Sequence, residues 1–164
     1  HIIAKFNNME ENDISLALYQ ASQAGVNIDL IVRGFCCLRP QVPGISDRIR
    51  VISVIGRYLE HSRIFYFRNG MADPIDGEFY LGSADWMYRN LHARVEAIVP
   101  LLDRKLKEKC WEILQLTLED KKQSWIMDSD GNYKHRTSNE PGVQEVLMRL
   151  THDRVILPIS EVVS

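Results

Sequence analysis

Cysteine is scarce in this sequence, and lysine is missing from the stretch where arginine is densest. Only Cys36, Cys37 and Cys110 are present. Adjacent cysteines rarely bridge each other and an odd count builds no disulfide framework, so reduced thiols are predicted, as in a cytoplasm. Cys36-Cys37 also lacks the spacer that lets two thiolates face one metal, which argues against zinc. No apolar run approaches the roughly 20 residues of a membrane helix, so no membrane span is expected; the localisation expected is cytoplasmic, with association at a membrane surface left open. There is no internal repeat and no low-complexity stretch. The net charge of −2 gives the chain as a whole no surplus for nucleic acid or another polyanion.

What is present fits one globular domain over 1–164, with 45% hydrophobic and 26% charged residues. The start, "HIIAKFNN", is neither a signal-peptide n-region nor a long apolar segment, and the chain reads as a piece of something larger. Charge is unevenly spread. Arg33, Arg39, Arg48, Arg50, Arg57, Arg63 and Arg68 face only Asp47 and Glu60 in the same segment, a local net of +5. Arginine's planar fork pairs with phosphate or carboxylate oxygens and keeps its proton, so an all-arginine segment points to a phosphate-rich ligand. The alternative is a set of surface arginines paired with acids elsewhere.

Helix and strand patterns alternate as in an α/β layer. "ENDISLALYQASQAG" has one-face helical spacing at Ile14, Ala17, Leu18 and Ala21, with Asn12 as N-cap and Gly25 as stop. "VNIDLIVRG", "RIRVISVIG", "SRIFYF", "FYLGS" and "HARVEAIVP" read as strands, and "FCCLRPQVPGISD" as a loop. "DRKLKEKCWEILQLTLED" reads as a helix capped by Asp103, "QSWIMDSDGNYKHR" as a hairpin turning at Asp130-Gly131, and "GVQEVLMRL" as a last helical turn or two. "DSDG" fits that turn better than a calcium loop, which wants Gly at its sixth position and Glu at its twelfth, where Tyr133 and Asn139 stand. Trp86, Trp111 and Trp125 read as packing residues. The tail "RVILPISEVVS" carries no pattern that places it.

His61 and Arg63 stand out. Two residues apart on a strand, they would share one face and make its space polar. Arg33 sits where "LIV" ends at Gly34, the strand end at which α/β sheets bind ligands, and "GSADW" has small residues that let donors approach closely.

His61-Ser62-Arg63, followed by Gly82-Ser83 and Asn90, is similar to the H-x-K and G-S-x-x-N pattern of the phospholipase D superfamily, with Arg in place of Lys. A longer ordered set, "KFNN", "ALYQASQAGVNIDLIVRGFCCLRP", "GISDRIRVISVIGRYLEHSRIF" and "GSADWMYRNLHARVE", resembles the C-terminal catalytic domain of bacterial polyphosphate kinase of family 1. That resemblance implies a phospholipase-D-like mixed sheet flanked by helices. It implies reversible transfer of the ATP terminal phosphate to polyphosphate through a phosphohistidine of the preceding domain. Magnesium would be held mainly by that domain and by ATP, and the parent protein would be a homo-oligomer. By motif position, Arg33 and His61 match the family's ATP-contacting residues. The superfamily geometry adds Lys5, Asn7, Arg63, Ser83 and Asn90, and no protein ligand to metal is expected in this part. Arg33 would hold phosphate oxygens bidentately, and His61 would bind phosphate as a cation or protonate the leaving oxygen. The other arginines of the segment would line the path of the polyphosphate chain. Two alternatives stand beside this one: a self-sufficient phosphodiesterase that dimerises so that two copies of His61 meet, and a polyanion-binding module without catalysis.

Overall fold

The apolar stretches pair into a single sheet in a computed structural model, which describes residues 1–155. Among these residues the strands are β1 (Ile2–Phe6), β2 (Ile28–Val32), β3 (Ile49–Val54), β4 (Ile64–Phe67), β5 (Glu78–Gly82), β6 (Ile98–Pro100), β7 (Ser124–Met127) and β8 (Tyr133–His135). The helices are α1 (Asn12–Gln23), α2 (Tyr88–His92), α3 (Arg104–Glu119) and α4 (Val143–Val155). The sheet order is β6-β5-β4-β1-β2-β3-β7-β8. The three central strands β1, β2 and β3 are parallel, and every other neighbouring pair is antiparallel. This is the mixed sheet flanked by helices that the sequence implies. The unplaced tail lies outside the described residues from 156 on.

Both faces of the sheet are covered. Ala4, Phe6, Leu30, Val32 and Val51 pack on one side with Leu18 of α1. Ile3, Ile31, Ile52 and Tyr66 pack on the other with Leu114 of α3 and Val143 of α4. Two buried faces explain why β2 and β3 read as nearly continuous apolar runs instead of alternating ones. Among the described residues no helix is long and apolar enough to cross a membrane.

Local signals hold at most element ends. Asp103 caps α3 by accepting from the Leu106 amide at 3.0 Å, and Gly25, at φ 94°, ends α1 in a conformation glycine adopts without strain. Asp128 Oδ1 accepts from the amides of Asp130 and Asn132, which closes the β7–β8 hairpin where the turn residues predict it. Other expectations need correction. Asn12 is the first residue of α1 and Glu11 precedes it as the cap, without a side-chain hydrogen bond. The "HARVEAIVP" strand is only Ile98–Pro100, while β1 and α2 carry no forecast in the sequence reading. His61 and Arg63 are not on a strand: β4 begins at Ile64.

The topology gathers chain ends at one edge of the sheet. β1, β2, β3 and β5 all finish there and β4 starts there, since β4 runs antiparallel to both β1 and β5.

Candidate active site

Asn7 follows β1, Arg33 follows β2, Ser83 follows β5 and Arg63 immediately precedes β4, so the strands deliver four polar side chains to one edge. Beyond its last ladder pair, the β1 strand stays tied to β2 by the Gly34 amide, which donates to the Asn7 carbonyl at 2.7 Å. A Cβ on residue 34 would stand 2.1 Å from Asn8 Oδ1, so any larger residue there would displace the Asn8 side chain. That oxygen in turn accepts from the Phe35 amide at 3.2 Å.

The stretch carrying His61 has no regular secondary structure. Side chains hold it instead. Arg33 Nη1 donates to the Glu60 carbonyl at 2.6 Å. Lys5 Nζ donates to Ser62 Oγ at 2.7 Å and to Glu60 Oε2 at 3.2 Å. Gln144, at the start of α4, donates to the Tyr58 carbonyl at 2.7 Å and accepts from the Tyr58 amide at 2.9 Å, as a neighbouring strand would. Lys5 is 5% exposed. Burial pushes its pKa down, an effect opposed by Glu60 and reinforced by Arg33 and Arg63.

Above this layer lies a cleft of about 540 Å³. It brings together six of the seven residues expected from sequence: Arg33, His61, Arg63, Asn7, Ser83 and Asn90. Lys5 is absent from its wall and lies beneath it. Two carboxylates organise the cleft. Asp85 accepts from the Asn7 amide at 2.8 Å, from Asn7 Nδ2 at 3.0 Å and from Arg63 Nε at 3.0 Å. The Arg63 and Asp85 side chains are 11% and 6% exposed, so this is a buried, hydrogen-bonded ion pair. Arg63 Nη1 continues to His61 Nδ1 at 3.1 Å. Glu96 accepts from Ser83 Oγ and from Asn90 Nδ2, the latter at 2.6 Å. The Ser83 hydroxyl first, and Asn90 next, hold its carboxyl below the usual range. Asn7, Ser83 and Asn90 line the cleft and each spends a side-chain donor on a carboxylate there. Asn90 Oδ1 is buried without a partner.

Arg89 and Arg94 complete the lining and are exposed. The sequence reading passed over both, and over Asp85 and Glu96. Asp85 had a legible signal, an acid between Ala84 and Trp86 in an otherwise apolar stretch, since a charge among apolar neighbours needs a partner. Arg94 and Glu96 had none, because "HARVEAIVP" reads as a strand, and Arg89 had none, because the five-residue α2 is too short to show a period.

The arginine segment divides. Arg33 and Arg63 enter the cleft, whereas Arg50 pairs with Asp29 at 2.6 Å near the opposite ends of β2 and β3. Four residues of strand separate Asp29 from Arg33, on the order of 13 Å. Arg48 donates to Asn27, Arg68 to the carbonyls of Met71 and Ala72, and Arg39 pairs with Asp130. Of these four, Arg39 and Arg50 pair with acids and Arg48 and Arg68 with neutral oxygens, and none lines the cleft. Among the described residues no three His, Cys, Asp or Glu side chains cluster to hold a metal ion. Asp85 and Glu96 each hold protein donors, and among the described residues neither belongs to a group of three such ligands.

The family described as polyphosphate kinase C-terminal domain 2 matches residues 1–146. The polyphosphate kinase of Thermosynechococcus vestitus is 54% identical over 154 residues, which is 92% of this chain and 20% of that protein. That of Pseudomonas aeruginosa strain PAO1 is 52% identical over 134 residues, 82% of this chain and 19% of that protein. The chain thus spans about a fifth of the length of these curated relatives. Among solved structures, the polyphosphate kinase of Porphyromonas gingivalis superposes with a TM-score of 0.85 at 38% identity, covering 93% of this chain and 23% of that one. NucT from Helicobacter pylori, at a TM-score of 0.51 and 13% identity over 72% of this chain and 78% of its own, shares the fold.

Proposed function

Because the chain belongs to the polyphosphate kinase C-terminal domain family, we propose that it supplies one wall of the site in which the terminal phosphate of ATP passes reversibly to inorganic polyphosphate. The observation that carries this reading is the convergence of Arg33, Arg63, Arg89, Arg94 and His61 on one cleft at the sheet edge. Phosphoryl transfer leaves a protein little covalent work beyond placing the reacting groups and stabilising charge spread over the equatorial oxygens. Arg33 holds β- or γ-phosphate oxygens through the guanidinium nitrogens not bonded to Glu60. His61 presents its ring to the phosphoryl group or the leaving oxygen, by hydrogen bond or by proton. Arg89 and Arg94, exposed at the rim, guide the polyphosphate chain.

Asp85 and Glu96 act by holding Arg63, Asn7, Ser83 and Asn90 in place. Lys5 supports the loop of His61 from below. Magnesium reaches the cleft on the phosphates of ATP. The phosphohistidine that relays the phosphate belongs to another part of the parent polypeptide, which works as a homo-oligomer in the cytoplasm.

Titration of the chain with polyphosphate at low and high salt tests the binding half of this reading. Binding is expected at low salt and weakens as salt rises. Arg33→Ala is expected to lower affinity about tenfold or more, the worth of a charge-assisted hydrogen bond. Absence of binding at low salt, or wild-type affinity in Arg33→Ala, overturns it.

A further inference from the structure

The geometry points to Asp85 and Arg63 as positioning residues that hold His61 as a neutral imidazole with its proton on Nε2. The argument starts from donor inventory. A guanidinium has five N–H groups and no acceptor. With Arg63 Nη1 at 3.1 Å from His61 Nδ1, the ring nitrogen must therefore be the acceptor. A lone pair on Nδ1 leaves the single proton of a neutral ring on Nε2. Nε2 lies across the ring from Arg63 and is the nitrogen left to meet a ligand in the cleft.

The arrangement is fixed from behind. Arg63 Nη1 also donates to the His61 carbonyl at 3.1 Å, so one guanidinium grips the ring and the backbone of the same residue. Its Nε is anchored to Asp85 Oδ1 at 3.0 Å, and Asp85 is itself held by two donors of Asn7. The charged groups around the ring act in the same sense. Arg33 comes from the end of β2, and Arg89 and Arg94 from α2 and the chain beyond it. Of the facing acids, Glu60 is bonded to Lys5, Asp85 to Arg63 and Glu96 to Ser83 and Asn90, so none accepts a proton-bearing Nδ1.

This deepens the phosphoryl-transfer reading and rests on it for its functional meaning. A ring held in this way gives a phosphoryl oxygen a hydrogen bond from Nε2–H and keeps the proton. It does not present a lone pair at Nε2, which a nucleophilic histidine needs.

The test is the tautomer itself, read without ligand. The chain is labelled with [15N]histidine, and two-bond proton–nitrogen correlation spectra are recorded at pH 7.5, with His61 assigned by its loss in His61→Gln. The Nε2–H pattern is expected in the wild type. In Arg63→Gln and Asp85→Asn it gives way to mixed or Nδ1-protonated rings, while the other four histidines keep their signals. If Asp85→Asn does not fold, as judged by its amide spectrum, Arg63→Gln and the wild type decide. An Nδ1–H or doubly protonated ring in the wild type, or an unchanged pattern in Arg63→Gln, overturns the inference. Because no phosphate is present, a failure here is separate from a failure of polyphosphate binding.

Discussion

Burying the Lys5 ammonium strips it of water, and its contacts with Ser62 Oγ and Glu60 return only part of that cost, as its lowered pKa indicates. Its benefit falls on the loop it holds. Lys5→Met, similar in length and apolar, is therefore expected to leave the melting temperature unchanged or raise it. Polyphosphate affinity should fall about two- to tenfold, the range of one net hydrogen bond. Calorimetry paired with the polyphosphate titration checks both halves, and a large loss of stability would contradict the assignment. At this scale the sequence exposed what a residue type announces. An arginine at a strand end and a histidine two residues from another arginine were visible as a site. It did not expose what a partner decides: Lys5 lies outside the cleft wall, bonded to Ser62 and Glu60, and Asp85 gains its importance from Asn7 and Arg63, brought together across the sheet.

The helices that read clearly are α1 and α3, whereas α4, with 13 residues, extends well past the turn or two its sequence suggests. α1 and α3, with 12 and 16 residues, give periodicity room to show and carry caps or stops of their own. α2 has five residues and β6 three, too few for any period. β1 was missed for another reason. "IIAKF" has a lysine inside it, and it is a strand because β2 and β4 pair with it on both sides. The loop before β4 is an element in effect, held by side chains alone. Gln144 replaces a strand neighbour for Tyr58 and links α4 to the residues leading to His61. Gln144→Ala is expected to cost about 1–3 kcal/mol, the net worth of two part-buried hydrogen bonds. It should also speed amide exchange at 58–61 more than elsewhere. Uniform acceleration across the sheet would contradict a local role.

Three carboxylates at the surface favour their ionised form in the fold. Asp73 is held below the usual range by the Ile75 amide and Arg104, Glu96 by Ser83 and Asn90, and Asp128 by backbone amides of its turn. A lowered native pKa favours the ionised form in the fold, so the stability it brings is complete above the unfolded value near about 4. It is lost as pH falls through the lowered native values. The urea midpoint should hold between pH 5 and about 7 and decline below roughly pH 4. A midpoint that rises on acidification would contradict the sign. The sheet order carries a further consequence, for how the chain is made. The first strand of this domain to be made becomes the centre of the sheet, and it waits for residues 64–67 before its second edge is paired. Asn7 waits longer, for Asp85. Until residues 64–67 are made the central strand is therefore only half-paired, and the cleft is among the last features of this domain to form during synthesis.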